Sequence, residues 1–329
     1  MNAELLLAAV ARCNLAAGAA VLAVLALRAP LRRWFGAGVA YGAWLIVPLA
    51  GAGSLMPGAV TSGPAGPVEV TNADAVAWLA AGGHARTLTL LWLGGAVAAI
   101  AVAGWRHRRF AAAVRAGRAG PAAVGVIQPR LVTPADFAQR FSVEERRLVR
   151  AHELAHIDRL DARYNAAAAL ATWLCWFNPL LHLGVRAMRL DQELACDATV
   201  LARQPAARRL YAETLLRTHP AMAPALGCQW RSPAHPLEAR ISMLAAAPPS
   251  QARRDLGVAI LVVALAAAFM AAWTMAPPAR AALEGPPVIL LELTPPSQAD
   301  AKFDDAVYRL VEATHALPSG ERGSAGRRP

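Results

Sequence analysis

Four long apolar runs limit what this chain can fold into more than any other feature of its sequence. They cover residues 5–27, 35–55, 87–105 and 256–275. A bilayer's hydrocarbon core is about 30 Å thick, and a helix needs about 20 apolar residues to cross it. Since 56% of all residues are hydrophobic, we predict a mainly α, polytopic membrane protein. Buried helices of a large soluble core are the alternative, and a cleaved signal peptide is a further alternative for the first run.

Arginine-rich segments flank these runs. "RAPLRRW" follows the first run, "RHRRFAAAVRAGR" follows the third and "QARRD" precedes the last, whereas residues 56–86 are nearly free of basic residues. Because basic flanks stay in the cytoplasm, the N-terminus is predicted to lie outside. The predicted division is a membrane domain at 1–105, a cytoplasmic domain at 106–255, a fourth transmembrane helix at 256–275 and a short external tail at 276–329.

The chain carries a formal net charge of +11, and Lys302 is its only lysine. A strong positive balance is typical of proteins that bind nucleic acid or an anionic membrane surface. Here the arginines cluster beside the apolar runs, and no aromatic-basic patch accompanies them. The expected partner is therefore the lipid bilayer, with no direct binding of nucleic acid.

The cysteines do not indicate a zinc ribbon. There are four of them, and none forms a C-x-x-C pair. Three lie in the segment predicted to be cytoplasmic, where disulfides are rare. We expect them to be small buried side chains.

The string "HELAH" at residues 152–156 carries the chemistry. Ser142 and Glu145 have the spacing of a capping box, which predicts a helix that begins just after Ser142. Residues i and i+4 share one helix face, so His152 and His156 could bind one metal ion while Glu153 faces a metal-bound water. The alternative is a pair of surface histidines on an amphipathic helix.

Zinc in a catalytic site takes three protein ligands and leaves a position open for water. The third ligand is predicted in "LDQELACDATVL", where Glu193 and Asp197 share a helix face. Glu193 is the longer side chain and the better ligand, and Asp197 suits the orientation of a ligand histidine. The alternative is that both carboxylates face solvent.

The apolar segment 164–188 must bring Glu193 back to His156. One membrane crossing would separate these two side chains, and two crossings would need about 40 residues. The segment is therefore predicted to turn back at Asn178-Pro179. We expect a helical hairpin, buried in the cytoplasmic domain or dipping shallowly into the inner leaflet.

Two further segments flank the predicted site. "VGVIQPRLVTPADF", residues 124–137, alternates β-branched residues between Gly and Pro, which predicts a short strand or hairpin. "SPAHPLEARISML", residues 232–244, reads as a loop leading into an amphipathic helix. His235 in this segment could alternatively polarise a carbonyl or stabilise an oxyanion.

Five segments along residues 124–244 resemble the membrane zinc peptidases of the BlaR/MecR type. In chain order they are "GVIQPRLVTPADF", "HELAH", "FNPL", "ELACD" and "RISML". These are the signal transducers of beta-lactam resistance and their sensor-lacking relatives. The "AHP…ARI" element is also similar to membrane gluzincins of the housekeeping type. The resemblance implies a cytoplasmic gluzincin-type protease domain in the bacterial inner membrane. Its implied site residues are His152, His156 and Glu193 for Zn²⁺, Glu153 as general base, Asp197 and Arg240 in support, and His235 at the oxyanion.

The resemblance also implies a function. The implied function is cleavage of a cytoplasmic repressor of the BlaI/MecI type in transmembrane signalling. Whether the protein cleaves itself and whether it forms a homo-oligomer are left open. The tail at 276–329 has no Ser-x-x-Lys motif, so we expect a variant without the external penicillin-binding sensor domain. The alternatives are a quality-control protease for membrane proteins and a non-catalytic receptor or scaffold.

Overall fold

The computed structural model describes residues 3–57, 84–217, 228–229 and 234–276. The predicted external loop at 56–86 and the tail at 276–329 lie almost wholly outside these residues. Within them the fold is mainly helical, as predicted. The helices and strands, in chain order, are α1 (Ala3–Phe35), α2 (Ala37–Gly42), α3 (Ile46–Leu55), α4 (His84–Arg115), β1 (Ala122–Val124), β2 (Arg130–Val132), α5 (Phe137–Arg140), α6 (Val143–Asp158), α7 (Asp161–Leu174), α8 (Pro179–Arg203), α9 (Arg208–Arg217), β3 (Cys228–Gln229), α10 (Ala234–Ala245) and α11 (Gln251–Thr274).

Among the described residues, four helical segments are long and apolar enough to cross a membrane. They are Ala3–Phe35, Ala37–Leu55, His84–Arg115 and Gln251–Thr274. The four predicted apolar runs lie almost entirely within these helices. The second segment consists of α2, a 3₁₀ turn and α3. The first and third extend past their apolar runs because the arginine-rich flanks continue the helix.

The small β element is a three-stranded antiparallel sheet in the order β2-β1-β3. Ala122 pairs with Val132 of β2 on one side and with Gln229 of β3 on the other. The hairpin predicted within 124–137 is present, although β1 begins two residues earlier. Its turn needs Gly125, because φ is +102° there and a Cβ would overlap the carbonyl of Gln128.

The predicted capping box opens α6. The Ser142 hydroxyl accepts from the backbone N–H of Glu145 at 3.2 Å, and the Glu145 carboxylate accepts from the backbone N–H of Ser142 at 2.8 Å. Both bonds satisfy donors that a helix N-terminus otherwise leaves unpaired. The helix therefore begins where the sequence predicted and carries "HELAH" in its last turns.

The segment after α6 turns back, as predicted, and forms a hairpin of α7 and α8. Asn178 caps α8 by accepting from the backbone N–H of Leu180 at 3.0 Å, with Pro179 in the first turn. The tip contacts the first apolar helix, where Asn178 donates to the side-chain oxygen of Asn14 at 3.0 Å. Asn14 lies 14 residues before Arg28, which is about 21 Å along a helix. The tip of the hairpin therefore lies about 21 Å along α1 from Arg28.

Small residues explain how the tip fits. The Trp176 indole at the tip lies against Gly95 of α4, where a Cβ would overlap its ring. On the same helix, Trp92 donates its indole N–H to the Leu174 carbonyl at 2.6 Å. The hairpin is therefore packed between α1 and α4.

Helix α8 belongs to two hydrophobic clusters. In its first half, Leu181 and Met188 pack with Val21 and Trp44 from the apolar helices. In its second half, Val200 and Leu201 pack in a separate cluster with residues of α5, α6, α9 and α10. Glu193 lies between these two halves, so both clusters fix its position.

Candidate metal centre

Two histidine rings face each other on consecutive turns of α6. The Nε2 atoms of His152 and His156 are 3.1 Å apart, and both side chains are buried. This follows from the i, i+4 spacing, which places both rings on one face of the helix. The alternative of surface histidines is therefore wrong.

Glu193 of α8 approaches both rings. Its Oε2 lies 3.3 Å from Nε2 of His152, and its Oε1 lies 3.6 Å from Nε2 of His156. The carboxylate is buried rather than directed to solvent. The structure thus brings together the two imidazoles and the carboxylate that the sequence singled out.

The other nitrogen of each ring is held by a partner that sets its tautomer. Nδ1 of His156 lies 2.7 Å from Oδ2 of Asp161. Nδ1 of His152 lies 2.8 Å from the hydroxyl of Tyr211, which itself donates to Asp197 at 2.6 Å. A proton on each Nδ1 satisfies these contacts, so both Nε2 atoms present lone pairs.

This arrangement fits a bound cation. Two Nε2 lone pairs and a carboxylate converge in a buried space, and their ligand atoms lie within 4.8 Å of one another. Burial acts to lower the pKa of His152, but the carboxylates of Asp197 and Glu193 favour the protonated ring, in which both nitrogens donate, and they raise that pKa to about 9. The site therefore favours positive charge, and a divalent cation would compete with a proton for the same lone pairs.

A second group that could hold a metal consists of His156, Asp161 and Cys196. Burial raises the pKa of the Cys196 thiol well above its usual value, with the Asp161 charge adding to the effect. A thiol binds metal only as the thiolate. The first group is therefore the better candidate.

Glu153 lies beside the first histidine and is fully buried. Its Oε2 accepts from the backbone N–H of Ala123 in β1 at 2.6 Å. Its Oε1 has no hydrogen-bond partner among the described residues. Burial raises the pKa of this carboxyl. The sheet thus fixes one oxygen and leaves the other available for a proton.

Arg240 of α10 joins the two carboxylates of α8. Its Nε and Nη2 each donate to Asp197 at 2.7 Å, and its Nη1 lies 3.0 Å from Oε2 of Glu193. Burial acts to raise the pKa of both carboxyls, but Arg240 holds each below its usual value. The structure thus places Asp197 and Arg240 in the predicted cluster. His235 begins the same helix, and its side chain lies outside the described residues.

Sequence reasoning missed Asp161 and Tyr211. Asp161 follows the second histidine by five residues, and Leu160 before it adopts a left-handed backbone conformation, φ 59°. That turn carries Asp161 back to the ring of His156. A carboxylate just after the motif was a weak signal, whereas nothing in the sequence pointed to Tyr211.

The site is also tied to the first two apolar helices. The Tyr41 hydroxyl donates to Oδ1 of Asp161 at 2.9 Å. Two residues before Glu193, the buried Asp191 accepts two bonds from Arg28, at 2.8 and 2.9 Å, and one from the Trp44 indole at 2.9 Å. Both the second histidine and the third candidate ligand therefore connect to residues 28–44.

Comparison with known proteins gives a family and several relatives. A family profile described as "BlaR1 peptidase M56" matches residues 8–244. The chain is 36% identical to the regulatory protein BlaR1 of Bacillus licheniformis over 81 residues. These residues are 25% of this chain and 13% of that protein. It is 28% identical over 81 residues to the methicillin resistance mecR1 proteins of Staphylococcus aureus and Staphylococcus epidermidis, covering 14% of each. These alignments therefore span about a seventh or less of each relative, and no solved structure matches the chain.

Proposed function

The chain belongs to the BlaR1 peptidase M56 family, as its resemblance predicted, and from this premise we propose that it is a membrane-embedded zinc endopeptidase of the gluzincin type. The observation that carries the proposal is the convergence of His152, His156 and Glu193, with both rings turned to present Nε2. Two imidazoles and one carboxylate are the ligand set of a catalytic zinc site with an open position.

A bound zinc ion would lower the pKa of a water molecule and polarise the peptide carbonyl. Glu153 accepts the proton of the attacking water at Oε1, while the Ala123 N–H holds its Oε2. It then returns the proton to the leaving nitrogen as the C–N bond breaks. The raised pKa of this buried carboxyl suits both steps, because a proton shuttle works best near the operating pH.

The supporting residues hold this arrangement. Asp161 and Tyr211 keep the two imidazoles in the tautomer that a metal requires. Arg240 offsets the charges of Glu193 and Asp197, which would otherwise repel each other in a buried space. His235 is proposed to stabilise the oxyanion, a role that the family resemblance supports.

The proposed biological role is signalling across the bacterial inner membrane. Four apolar helices and the BlaR1-like relatives identify a membrane protein. The arginine-rich flanks support an external N-terminus and a cytoplasmic site. We propose a repressor of the BlaI/MecI type as the substrate, since the relatives are named as regulatory and resistance proteins.

The test combines metal analysis with cleavage assays on the purified full-length protein. Wild-type protein is expected to contain about one zinc per chain and to cleave a BlaI/MecI-type repressor. Glu153→Gln keeps an oxygen for the Ala123 N–H and should retain zinc while losing cleavage; Glu153→Ala should also lose cleavage. Glu144→Gln, on an exposed position of the same helix, is the matched control.

Each result has a definite meaning. A zinc-loaded Glu153→Gln protein that cleaves at the wild-type rate would refute the general-base role. Wild-type protein without zinc would refute the metal centre. Zinc without cleavage of the repressor or of casein would support a non-catalytic receptor. In a deletion strain, many stabilised membrane proteins in place of one repressor would favour quality control.

A further inference from the structure

A large apolar cavity lies beside the candidate metal centre. It has a volume of about 610 Å³ and is lined by α1, by residues 41–55, by α7 and by the first turns of α8. Small-molecule sites are typically about 300–1,000 Å³. Its walls are almost wholly apolar, and Cys13, Leu55 and Cys175 are among the lining residues. The proposed peptidase mechanism makes no use of this space.

The cavity is elongated. It extends along the second apolar segment from Tyr41 to Leu55, and the 14 steps between these two residues correspond to about 21 Å of helix. One leaflet of a bilayer's hydrocarbon is about 15 Å thick. An apolar space of this length along a candidate membrane helix suits an extended hydrocarbon chain.

One end of the cavity is charged. Among the described residues, Arg159 is the only charged side chain that lines it. Its guanidinium lies 4.5 Å from the ring centre of Tyr41, and its Nε is 3.7 Å from Asp161, which is too far for a hydrogen bond. The side chain is 21% exposed. A guanidinium has five N–H groups and favours phosphate oxygens.

We propose that this cavity binds one acyl chain of an anionic phospholipid, with the phosphate at Arg159. The observations behind it are the apolar walls of the cavity, its position along candidate membrane helices and the complementary charge at the end near Tyr41. This lipid site is independent of the proposed peptidase function, because its test measures binding and not cleavage.

The first experiment measures lipid retention by the full-length protein. Delipidated protein in detergent is titrated with phosphatidylglycerol or with a diacylglycerol of the same acyl chains, which lacks the phosphate, and bound lipid is counted by native mass spectrometry. Phosphatidylglycerol should bind about tenfold more tightly, the effect of one charge-assisted contact. Arg159→Gln should abolish that preference. Equal binding of the two lipids by the wild type would overturn the proposal.

A cavity-filling variant tests the position. Ala171→Phe places a ring in the cavity and should weaken phosphatidylglycerol binding at least tenfold, the loss expected from excluding a few methylene groups. Leu170→Phe is the matched control, because Leu170 is the adjacent residue, is 51% exposed and does not line the cavity. Unchanged binding by Ala171→Phe would refute the site.

Cross-linking of the wild-type protein keeps the proposal testable if a variant does not fold. A phosphatidylglycerol with a diazirine at the end of one acyl chain should label the far end of the cavity, near Cys13, Leu55 or Cys175. Labelling confined to exposed apolar positions such as Leu93 and Val263 would mean that lipid only surrounds the protein, and would overturn the proposal.

Discussion

Replacing Asp161 by Asn should weaken zinc binding although Asp161 is not a proposed ligand. Its Oδ2 lies 2.7 Å from Nδ1 of His156, and its Oδ1 accepts from the Tyr41 hydroxyl at 2.9 Å. An amide offers one oxygen and one NH₂ group. If the oxygen faces His156, the NH₂ faces a hydroxyl that already accepts from Gln192 at 2.8 Å. If the amide is reversed, two donors meet at Nδ1. Neither orientation satisfies all the groups.

The size of the effect follows from the lost contact. A charge-assisted hydrogen bond contributes about 1.5–3 kcal/mol. Loss of a carboxylate that orients a ligand histidine typically costs about 10–100-fold in metal affinity, which corresponds to about 1.4–2.7 kcal/mol. The free energy of the hydrogen bond and the free energy of the lost metal affinity cover similar ranges, because one contact both orients the ring of His156 and raises its basicity. We therefore expect Asp161→Asn to raise the Kd for zinc about 10–100-fold.

The assay is competition with a chromophoric zinc chelator, using full-length protein in detergent. Asp158→Asn is the matched control, since Asp158 lies three residues earlier and its side chain is 56% exposed. Both variants remove one negative charge, so the net charge of the protein is the same in the two. Wild-type affinity in Asp161→Asn, or an equal loss in both variants, would show that His156 does not depend on this contact.

Three further predictions concern stability and metal. Asp191→Ala should lower the free energy of unfolding by roughly 2–4 kcal/mol. This is toward the low end of the loss for a broken buried ion pair, because the Arg28 side chain is 17% exposed. A thermal unfolding midpoint measured by tryptophan fluorescence would check this, and an unchanged midpoint would contradict it. Gly95→Val should lower the same midpoint by overlap with Trp176, whereas Gly94→Val, with nothing within 4 Å of its Cβ, should change it little; equal shifts would contradict the packing. In a buffer whose free zinc concentration is 100 times Kd, bound zinc should stabilise the wild type by about 2.7 kcal/mol, and a chelator should remove this stabilisation. Identical unfolding midpoints with and without the chelator would argue against a structural contribution of the ion.

The features that could be predicted from the sequence are those encoded locally. Four apolar runs predict membrane-crossing helices because length and hydropathy decide that property by themselves. The capping box at Ser142 and the i, i+4 histidines are likewise fixed by spacing along one helix. The turn at Asn178-Pro179 followed from local backbone chemistry together with the need to bring Glu193 near His156.

The features that escaped prediction depend on contacts between distant segments. Tyr211 reaches His152 from 59 positions away, and no periodicity encodes that pairing. The third strand pairs residue 123 with residue 228 across about a hundred residues of helix. The position of the hairpin tip depends on a complementary fit between Trp176 and Gly95 of another helix. In each case the partner is chosen by tertiary packing, which a pattern in one segment does not specify.

The contacts at residues 28–44 bear on how the candidate site relates to the membrane helices. One connection runs from Tyr41 through Asp161 to His156. The other runs from the α1–α2 region to Asp191, which stands two residues before Glu193 on the same helix. Because a rigid helix transmits displacement over so short a distance, movement of α1 and α2 relative to α8 would change the spacing of His156 and Glu193. The contacts at residues 28–44 therefore join the first two apolar helices to the elements that carry His156 and Glu193.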